Sequence, residues 1–259
     1  MRWFKIVRAG LLSIIFVNSY KASSQNFVSD TSAKTSLLKN AVNLYHKFLL
    51  PETGLYNGSE YTYKAYYPFV INEGHPFFIS KQFVPGSVFY NNVLYENVPL
   101  LYDIVKEELI IKDLAGVYFI KLNNESIQWF IISGHTFIRL NMDNDKDQVL
   151  HTGFYDLLYN GNVVLYKKVL KLLEDRSAFA GIEKHVIESN KYFIKKDNRY
   201  YAIKNKKSLL PVMSNRKKEV QQFIRSNKLN FRKAEEDAII RTVTFYDSIN
   251  NTTIKAANQ

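Results

Sequence analysis

Residues 153–170 read GFYDLLYNGNVVLYKKVL, and this stretch points most directly to the fold. Its two halves, residues 153–159 and 163–170, are rich in aromatic and β-branched side chains, which favour β-strands. Tyr159-Asn160-Gly161 lies between them and is typical of a turn, because Asn and Gly tolerate the positive φ angles of two-residue hairpin turns. The stretch therefore predicts an antiparallel hairpin.

The same alternation of strand-like runs and turn signals extends from residue 55 to about residue 210. The other turn signals are Tyr56-Asn57-Gly58, Tyr90-Asn91-Asn92, Leu122-Asn123-Asn124 and Lys196-Asp197-Asn198. They predict a meander of roughly ten to twelve antiparallel strands. Besides the hairpin above, the expected strands cover residues 61–67, 76–80, 87–90, 93–98, 108–112, 117–122, 127–132, 136–140, 191–196 and 200–204. The intervals between turns vary, so the pattern does not indicate a propeller or a solenoid.

Helical periodicity precedes and follows the meander. Apolar residues at helical spacing predict a helix over residues 34–50. A second helix is expected over residues 216–226, with Ser214 as its N-cap. A third is expected over residues 233–249, and the polar tail, residues 250–259, should fray.

These elements predict one α+β domain, mainly β, over residues 34–249. We expect a large antiparallel meander over residues 55–210, either a curved open sheet or a partial barrel. One N-terminal helix and a C-terminal helical pair over residues 214–249 should cover its edges or pack beside it.

The first 24 residues have the pattern of a secretory signal peptide. Three cations, Arg2, Lys5 and Arg8, precede an apolar run of nine residues, and we place cleavage after Ser24. The run is about half as long as a membrane-spanning helix, and an uncleaved N-terminal anchor is the alternative. We expect residues 25–33 to form a flexible lead-in. The mature chain should be exported, either periplasmic, attached to the outer membrane or secreted, with no transmembrane segment.

The sequence contains no cysteine. This excludes disulfides, thiolate metal sites and cysteine nucleophiles. It also excludes the lipid anchor of a bacterial lipoprotein, which is carried on a cysteine. The exported chain must therefore be stabilised by its core.

Positive charge is concentrated in residues 191–233, which contain fourteen Lys or Arg against Asp197 and Glu219. The candidate residues for binding an anion or a partner are Lys195, Lys196, Arg199, Lys204, Lys206, Lys207, Arg216, Lys217 and Lys218. Because the chain is expected to be exported, the expected partner is an anionic envelope lipid, glycan or protein and not a nucleic acid. The alternative is a solvated basic face that keeps the protein soluble.

No familiar catalytic or cofactor-binding motif occurs in the sequence. It lacks the Gly-x-Ser-x-Gly elbow, the His-Glu-x-x-His zinc motif, the Walker loop and the dinucleotide-binding glycine fingerprint. Ser133-Gly134-His135 comes nearest to a nucleophile beside a base, but we favour a tight turn between two strands there. We expect no cofactor and assign no catalytic residue.

One acidic segment is a candidate metal site. Asp143, Asp145 and Asp147 stand at alternate positions, as in the start of a calcium loop. Gln148 and Phe154 occupy the positions where an EF-hand loop needs Gly and Glu. We therefore favour a solvated acidic hairpin loop and retain the three aspartates as the candidate for a surface calcium site.

Four segments carry a resemblance to known proteins. They are LYNG at residues 55–58, YENVPLLYD at residues 95–103, GFYDLLY at residues 153–159, and the closing helix with Lys217-Lys218 and Phe223-Ile224. In these segments the chain resembles uncharacterised exported β-rich proteins of Gram-negative bacteria of the Bacteroidota kind. The resemblance supports the expected export and the expected sheet, and it implies no activity.

The sequence leaves three classes of function open. We expect first a non-catalytic binding or structural protein of the cell envelope, acting through an aromatic sheet surface or the basic end. The alternative is a periplasmic carrier of a lipid or another apolar ligand in a sheet cavity, lined by some of the 18 Tyr and 18 Phe. A hydrolase with an unidentified site is third.

Overall fold

The computed structural model describes residues 54–142, 149–179 and 181–257, which all belong to one compact unit, Asn43–Gln259. The expected signal peptide, the lead-in and the predicted helix over residues 34–50 lie outside the described residues. In the described ranges the chain is mainly β, as predicted. The strands are β1 (Ser59–Glu60), β2 (Ile71–Glu73), β3 (Val84–Tyr90), β4 (Val93–Asp103), β5 (Glu108–Lys112), β6 (Phe119–Lys121), β7 (Ile127–Ile132), β8 (His135–Leu140), β9 (Gly153–Asn160), β10 (Val164–Ala178), β11 (Gly181–Lys196) and β12 (Arg199–Ile203). The helices are α1 (Tyr63–Tyr66), α2 (Lys206–Val212), α3 (Lys217–Ser226) and α4 (Glu235–Ala257).

The strands form one twelve-stranded sheet in the order β1-β6-β5-β4-β3-β7-β8-β9-β10-β11-β12. Every pair along this path is antiparallel, whereas β2 lies off the path and pairs with β11 in parallel. Most neighbours in the sheet are also neighbours in sequence, which confirms the predicted meander. Among the described strands, β1 and β12 end the path and do not pair with each other, so the sheet is open.

Two of the predicted hairpin turns have the expected backbone. Asn91 and Asn92 connect β3 to β4 with φ angles of 49° and 63°. Asp197 and Asn198 connect β11 to β12 with φ angles of 50° and 59°. Positive φ at both central residues gives the twist that joins two antiparallel strands directly.

Three other turn signals act differently from the prediction. Gly161 has no positive φ angle; instead, a Cβ atom there would lie 2.3 Å from Asp247 Oδ2 on α4, so the position requires a residue without a side chain. Leu122-Asn123-Asn124 leads into a 3₁₀ turn between β6 and β7, which are not neighbours in the sheet. Residues 56–58 precede β1 and do not form a hairpin.

Several strand predictions were wrong in extent or type. Residues 61–67, expected as a strand, contain helix α1. Residues 76–80 form only an isolated bridge between Phe77 and Asp103. The β10–β11 pair is much longer than expected, because the two strands pair from Val164 with Lys195 as far as Ala178 with Gly181, beyond the ends of β9 and β12.

The inner face of the curved sheet holds the largest core cluster. Tyr102 on β4 lies 5.0 Å from Phe130 on β7, 5.2 Å from Phe137 on β8 and 6.0 Å from Phe154 on β9, between ring centroids. Three strands separate β4 from β9 in the sheet, so these contacts require the sheet to curl over its own inner face. The aromatic residues on this face therefore pack against one another and fill the space between the strands.

A segment that we term the strap, residues 71–78, spans the opening of the curled sheet. At one end β2 pairs with β11, with Ile71 opposite Lys184. At the other end the N–H of Phe78 donates to the carbonyl oxygen of Tyr102 on β4 at 2.8 Å. Between them, Lys171 Nζ donates to the carbonyl oxygens of Phe77 at 2.6 Å and His75 at 3.2 Å. The strap therefore ties β4 to the β10–β11 pair.

The C-terminal helices pack against β9 and β12, and their apolar side chains share one cluster with residues of β10 and β11. Val220 and Ile224 on α3 are buried, as are Ile239, Val243 and Tyr246 on α4.

The helix boundaries differ from the prediction. Ser214 lies in a short 3₁₀ turn and does not cap α3, whose N-cap is Arg216. Helix α4 continues to Ala257, into the segment expected to fray. Helix α2 was not predicted; it is capped by Asn205, whose side chain accepts hydrogen bonds from the N–H groups of Lys207 and Ser208.

Candidate functional site

A cleft of about 760 Å³ lies where α2, the end of α3 and the loop to α4 meet. We refer to it as the basic cleft, because five cationic side chains line it: Lys206, Lys207, Arg225, Lys228 and Arg232. Apolar side chains of Ile224, Leu229 and Phe231 line it as well. No carboxylate is among the described residues that line the cleft.

Local hydrogen bonds fix the backbone around the basic cleft. The Asn205 side chain and the Ser208 side chain form a capping box that starts α2 and sets the direction of Lys206 and Lys207. On the opposite side, the Asn230 side chain accepts hydrogen bonds from the N–H groups of Arg232 and Lys233 at 2.9 and 3.1 Å. The cations therefore project from ordered backbone.

Lys228 has an unfavourable backbone conformation. It follows the C-cap residue of α3, Asn227, and the N–H of Leu229 donates to the carbonyl oxygen of Ile224 at 3.1 Å, which closes the helix end. The φ angle of Lys228 is 51°, in the left-handed region where glycine is the usual residue. A side chain there costs about 1 kcal/mol.

The five cations of the basic cleft have no acidic partners in the described part of the chain. None of them forms an ion pair with a described Asp or Glu. Like charges that share a concave surface repel one another and raise the local positive potential. An anion bound in the cleft relieves this repulsion.

The structure distributes the nine candidate cations over several places. Only Lys206 and Lys207 line the basic cleft. Lys196 and Arg216 line a different cleft that also contains Asp197 and Asp247.

The other candidates lie elsewhere. Lys204 lines a third cleft, which includes Glu235. Lys195 lies over the Tyr200 ring, and the remaining candidates are exposed: Arg199, Lys217 and Lys218.

Some of these cations have structural contacts. Lys196 Nζ donates to the carbonyl oxygen of Val212 at 2.9 Å and lies 5.2 Å from the centroid of the Tyr246 ring, so it links β11 to the helices. Arg216 pairs with Glu219 at 3.3 Å. Sequence reasoning did not single out Arg225, Lys228 or Arg232, although all three fall in the basic segment over residues 191–233.

The aspartates proposed for a calcium site, Asp143, Asp145 and Asp147, lie outside the described residues. Within the described ranges no group of three or more His, Cys, Asp or Glu side chains is arranged to hold a metal ion. None of the helices in those ranges is long and apolar enough to cross a membrane.

Ser133-Gly134-His135 forms the turn between β7 and β8, with φ angles of 51° and 79° at its first two residues. His135 Nδ1 lies 2.8 Å from Oδ2 of the buried Asp156. Lys167 Nζ lies 3.2 Å from the same oxygen atom and 3.0 Å from Glu236 on α4. In this network the charges of the described side chains satisfy one another, which is the arrangement of a structural cluster.

Comparison of the sequence with protein-family models, with curated proteins and with solved structures finds no match.

Proposed function

We propose that this chain is a non-catalytic binding protein of the cell envelope that holds phosphate-bearing headgroups of anionic lipids in the basic cleft. The observation that carries the proposal is the group of five cations, free of acidic partners among the described residues, around a concavity of about 760 Å³. The expected export of the chain supports a lipid ligand over a nucleic acid.

The apolar residues of the cleft support a lipid over a fully hydrated polyanion. Ile224 is buried beneath the cleft, and Leu229 and Phe231 are partly exposed within it. A headgroup with attached acyl chains offers both an anion and an apolar part. The concave shape also fits a headgroup better than it fits the flat surface of a protein partner.

The test is binding of the purified protein to phosphatidylcholine vesicles with and without phosphatidylglycerol. We expect binding only to the anionic vesicles, and weaker binding as the salt concentration rises. A basic residue near an anionic membrane contributes about 1 kcal/mol. The double variant Arg225→Gln/Lys228→Gln should therefore lose about thirtyfold in affinity.

The matched control is Lys217→Gln/Lys218→Gln, which removes the same charge from exposed positions of α3 outside the cleft. It should bind nearly as well as the wild type. Equal losses in the two double variants would mean that diffuse positive charge, and not the cleft, attracts the membrane.

Lys228→Gly separates binding from stability at one position. Glycine relieves the left-handed backbone strain, so the free energy of unfolding should rise by up to about 1 kcal/mol while binding to anionic vesicles weakens. Urea unfolding and vesicle binding measure the two effects. Ser133→Gly, which relieves a φ angle of 51° in the β7–β8 turn, is the control and should stabilise the protein without changing binding. A Lys228→Gly protein that binds like the wild type would contradict a role for this charge.

A further inference from the structure

A second cleft, which the proposed function does not use, lies beside β4, β5 and β6. It encloses about 700 Å³, which is within the usual range of small-molecule sites. Five of the side chains that line it are aromatic: Tyr61, Tyr63, Phe77, Phe83 and Phe119. We refer to it as the aromatic cleft.

Two of the five rings form the floor of the aromatic cleft, and the other three form walls that are open to solvent. Tyr61 and Phe77 are buried and form the floor, whereas Tyr63, Phe83 and Phe119 are partly exposed. The rings pack in pairs: the centroids of Phe83 and Phe119 are 5.0 Å apart, and those of Tyr63 and Phe77 are 5.9 Å apart. Aromatic faces that remain open to solvent in a concave surface offer contact area to an apolar ligand.

The floor of the aromatic cleft is held in place from beneath. The Tyr61 hydroxyl donates to the fully buried Asp103 at 2.8 Å. The Tyr67 hydroxyl and the N–H of Lys106 donate to the same carboxyl group, at 2.9 and 3.1 Å. Because these bonds fix Tyr61 in the absence of a ligand, binding costs little ordering of side chains.

The strap supplies Phe77 to the floor and His75 to one wall, and it is anchored as well. His75 and Phe77 belong to the strap, and the buried Lys171 holds their carbonyl oxygens. The cleft is thus built from chain segments that other contacts already fix.

The charged groups of the aromatic cleft are all basic. Lys81 and Lys112 line it, both are exposed, and no carboxylate lines it among the described residues. Neither lysine forms an ion pair within those residues, and Lys112 Nζ lies 5.1 Å from the centroid of the Phe83 ring. Two cations beside apolar rings complement an anion with an apolar body and repel an ammonium group.

One polar atom in the aromatic cleft lacks a partner. His75 Nδ1 is buried and makes no hydrogen bond within the described residues. Burial lowers the pKa of His75, and the charges of Lys171 and Lys81 lower this pKa further. These effects favour the uncharged form of the ring, so His75 adds little positive charge to the cleft.

We propose that the aromatic cleft binds a small amphipathic carboxylate. The apolar body lies against the aromatic rings, and Lys81 and Lys112 hold the carboxylate. This site is separate from the basic cleft and does not depend on the function proposed for it.

The test is displacement of the fluorescent dye anilinonaphthalene sulfonate by three ligands with the same alkyl chain: decanoate, decanol and decylamine. The titrations are made with the wild type and repeated with the purified Arg225→Gln/Lys228→Gln protein, in which dye bound in the basic cleft does not contribute. We expect decanoate to displace the dye at concentrations about tenfold lower than decanol, and decylamine to displace it least.

The variant Lys81→Gln/Lys112→Gln removes both cations from exposed positions, so it should fold normally. It should weaken decanoate binding about tenfold and leave decanol binding unchanged. The Lys217→Gln/Lys218→Gln variant, which loses the same charge at exposed positions outside both clefts, should bind decanoate like the wild type. The proposal is overturned if decanol or decylamine displaces the dye as well as decanoate, or if the two double variants weaken decanoate binding equally.

Discussion

Three lysines on β10 have buried side chains, although lysine normally lies at the surface: Lys167, Lys168 and Lys171. Each buried ammonium group has partners supplied by another part of the chain. Lys167 meets carboxylates of β9 and α4, Lys168 meets Glu107 after β4, and Lys171 meets the backbone of the strap. Buried charges are tolerated in this way when hydrogen bonds and opposite charges replace water.

Lys168 leads to a prediction about pH. Burial lowers its pKa from 10.5 to about 8. Between pH 8 and pH 10.5 the unfolded chain binds more protons than the folded chain, so this lysine makes stability rise with pH across that window. Between pH 8 and pH 10.5, the free energy of unfolding of the wild type should rise by on the order of 2 to 3 kcal/mol relative to that of Lys168→Met, which has no ammonium group to titrate.

Urea unfolding of both proteins at several pH values measures this gain. Other groups titrate in both proteins, so their contributions cancel in the difference. A difference in stability that stays constant from pH 8 to pH 10.5 would show that the ammonium group is not destabilised by burial.

Single-residue roles of this kind could not be predicted from the sequence. The strand predicted over residues 163–170 matches the start of β10, yet the partners of the lysines on β10 are far away in sequence, 61 residues for Glu107 and 94 residues for Phe77. Local pattern indicates which residues face one side of a strand. It does not indicate which distant group meets them.

Among the elements, the hairpins were the best predicted, because their determinants are local. Asn91-Asn92 and Asp197-Asn198 need positive φ angles, and Asn and Asp are among the residues that supply them. The link from β6 to β7 was not recognised as a crossover, since Asn123-Asn124 has the same composition as a hairpin turn. The end of the β10–β11 pair was also missed, because charged residues over 174–176 hide the strand pattern.

The link between β9 and β10 gives a prediction for the docking of α4. Gly161 lies against Asp247, whose Oδ2 accepts hydrogen bonds from the Tyr159 hydroxyl at 2.9 Å and the N–H of Asn162 at 3.2 Å. In Gly161→Ala the new methyl group would displace this carboxylate. We expect a loss of about 1 to 3 kcal/mol in the free energy of unfolding, with faster amide hydrogen exchange in α4.

Gly134→Ala is the matched control for this change. Gly134 has a φ angle of 79°, and no atom lies within 4 Å of the Cβ position, so the substitution strains the turn and meets no neighbour. It should destabilise the protein by about 1 kcal/mol without a selective effect on α4. The same exchange pattern in both variants would rule out the close contact as the reason for Gly161.

Because the sheet is curled, we expect side chains on its inner face to contribute more to the free energy of unfolding than side chains on its outer face. Phe137 lies on the inner face, with its ring centroid 5.0 Å from those of Phe78 and Phe130. Phe137→Ala should cost about 3 to 5 kcal/mol, because the cavity it leaves is enclosed. Phe89, on the outer face, stacks on Trp129 at 5.7 Å and is partly exposed, so Phe89→Ala should cost only about 1 kcal/mol. Similar losses in urea unfolding would contradict the assignment of the core to the inner face.

For the whole molecule, the fold class and the meander could be predicted, but the curvature could not. Alternation of side chains specifies which residues share a face and leaves open whether that face is flat or folded over itself. The aromatic cleft could not be predicted for the same reason, since it joins residues 61–83 with residues of β4, β5 and β6. The basic segment was found from its composition, and the side chains that meet in the basic cleft depend on α2, which was not predicted.

The strap also affects the order of folding. Hairpins such as β3–β4 and β7–β8 form between residues close in sequence, so they can form early and rapidly. Residues 71–73 of the strap pair with β11, where Asn72 Oδ1 accepts a hydrogen bond from the N–H of Lys184, 112 residues later in the chain. Loop closure over that distance is slow, and during synthesis the partner strand emerges long after the strap. We expect the pairing of residues 71–73 with β11 to form last, so that a chain halted before β11 has the strap attached only at its other end, to Tyr102 on β4 and Lys171 on β10.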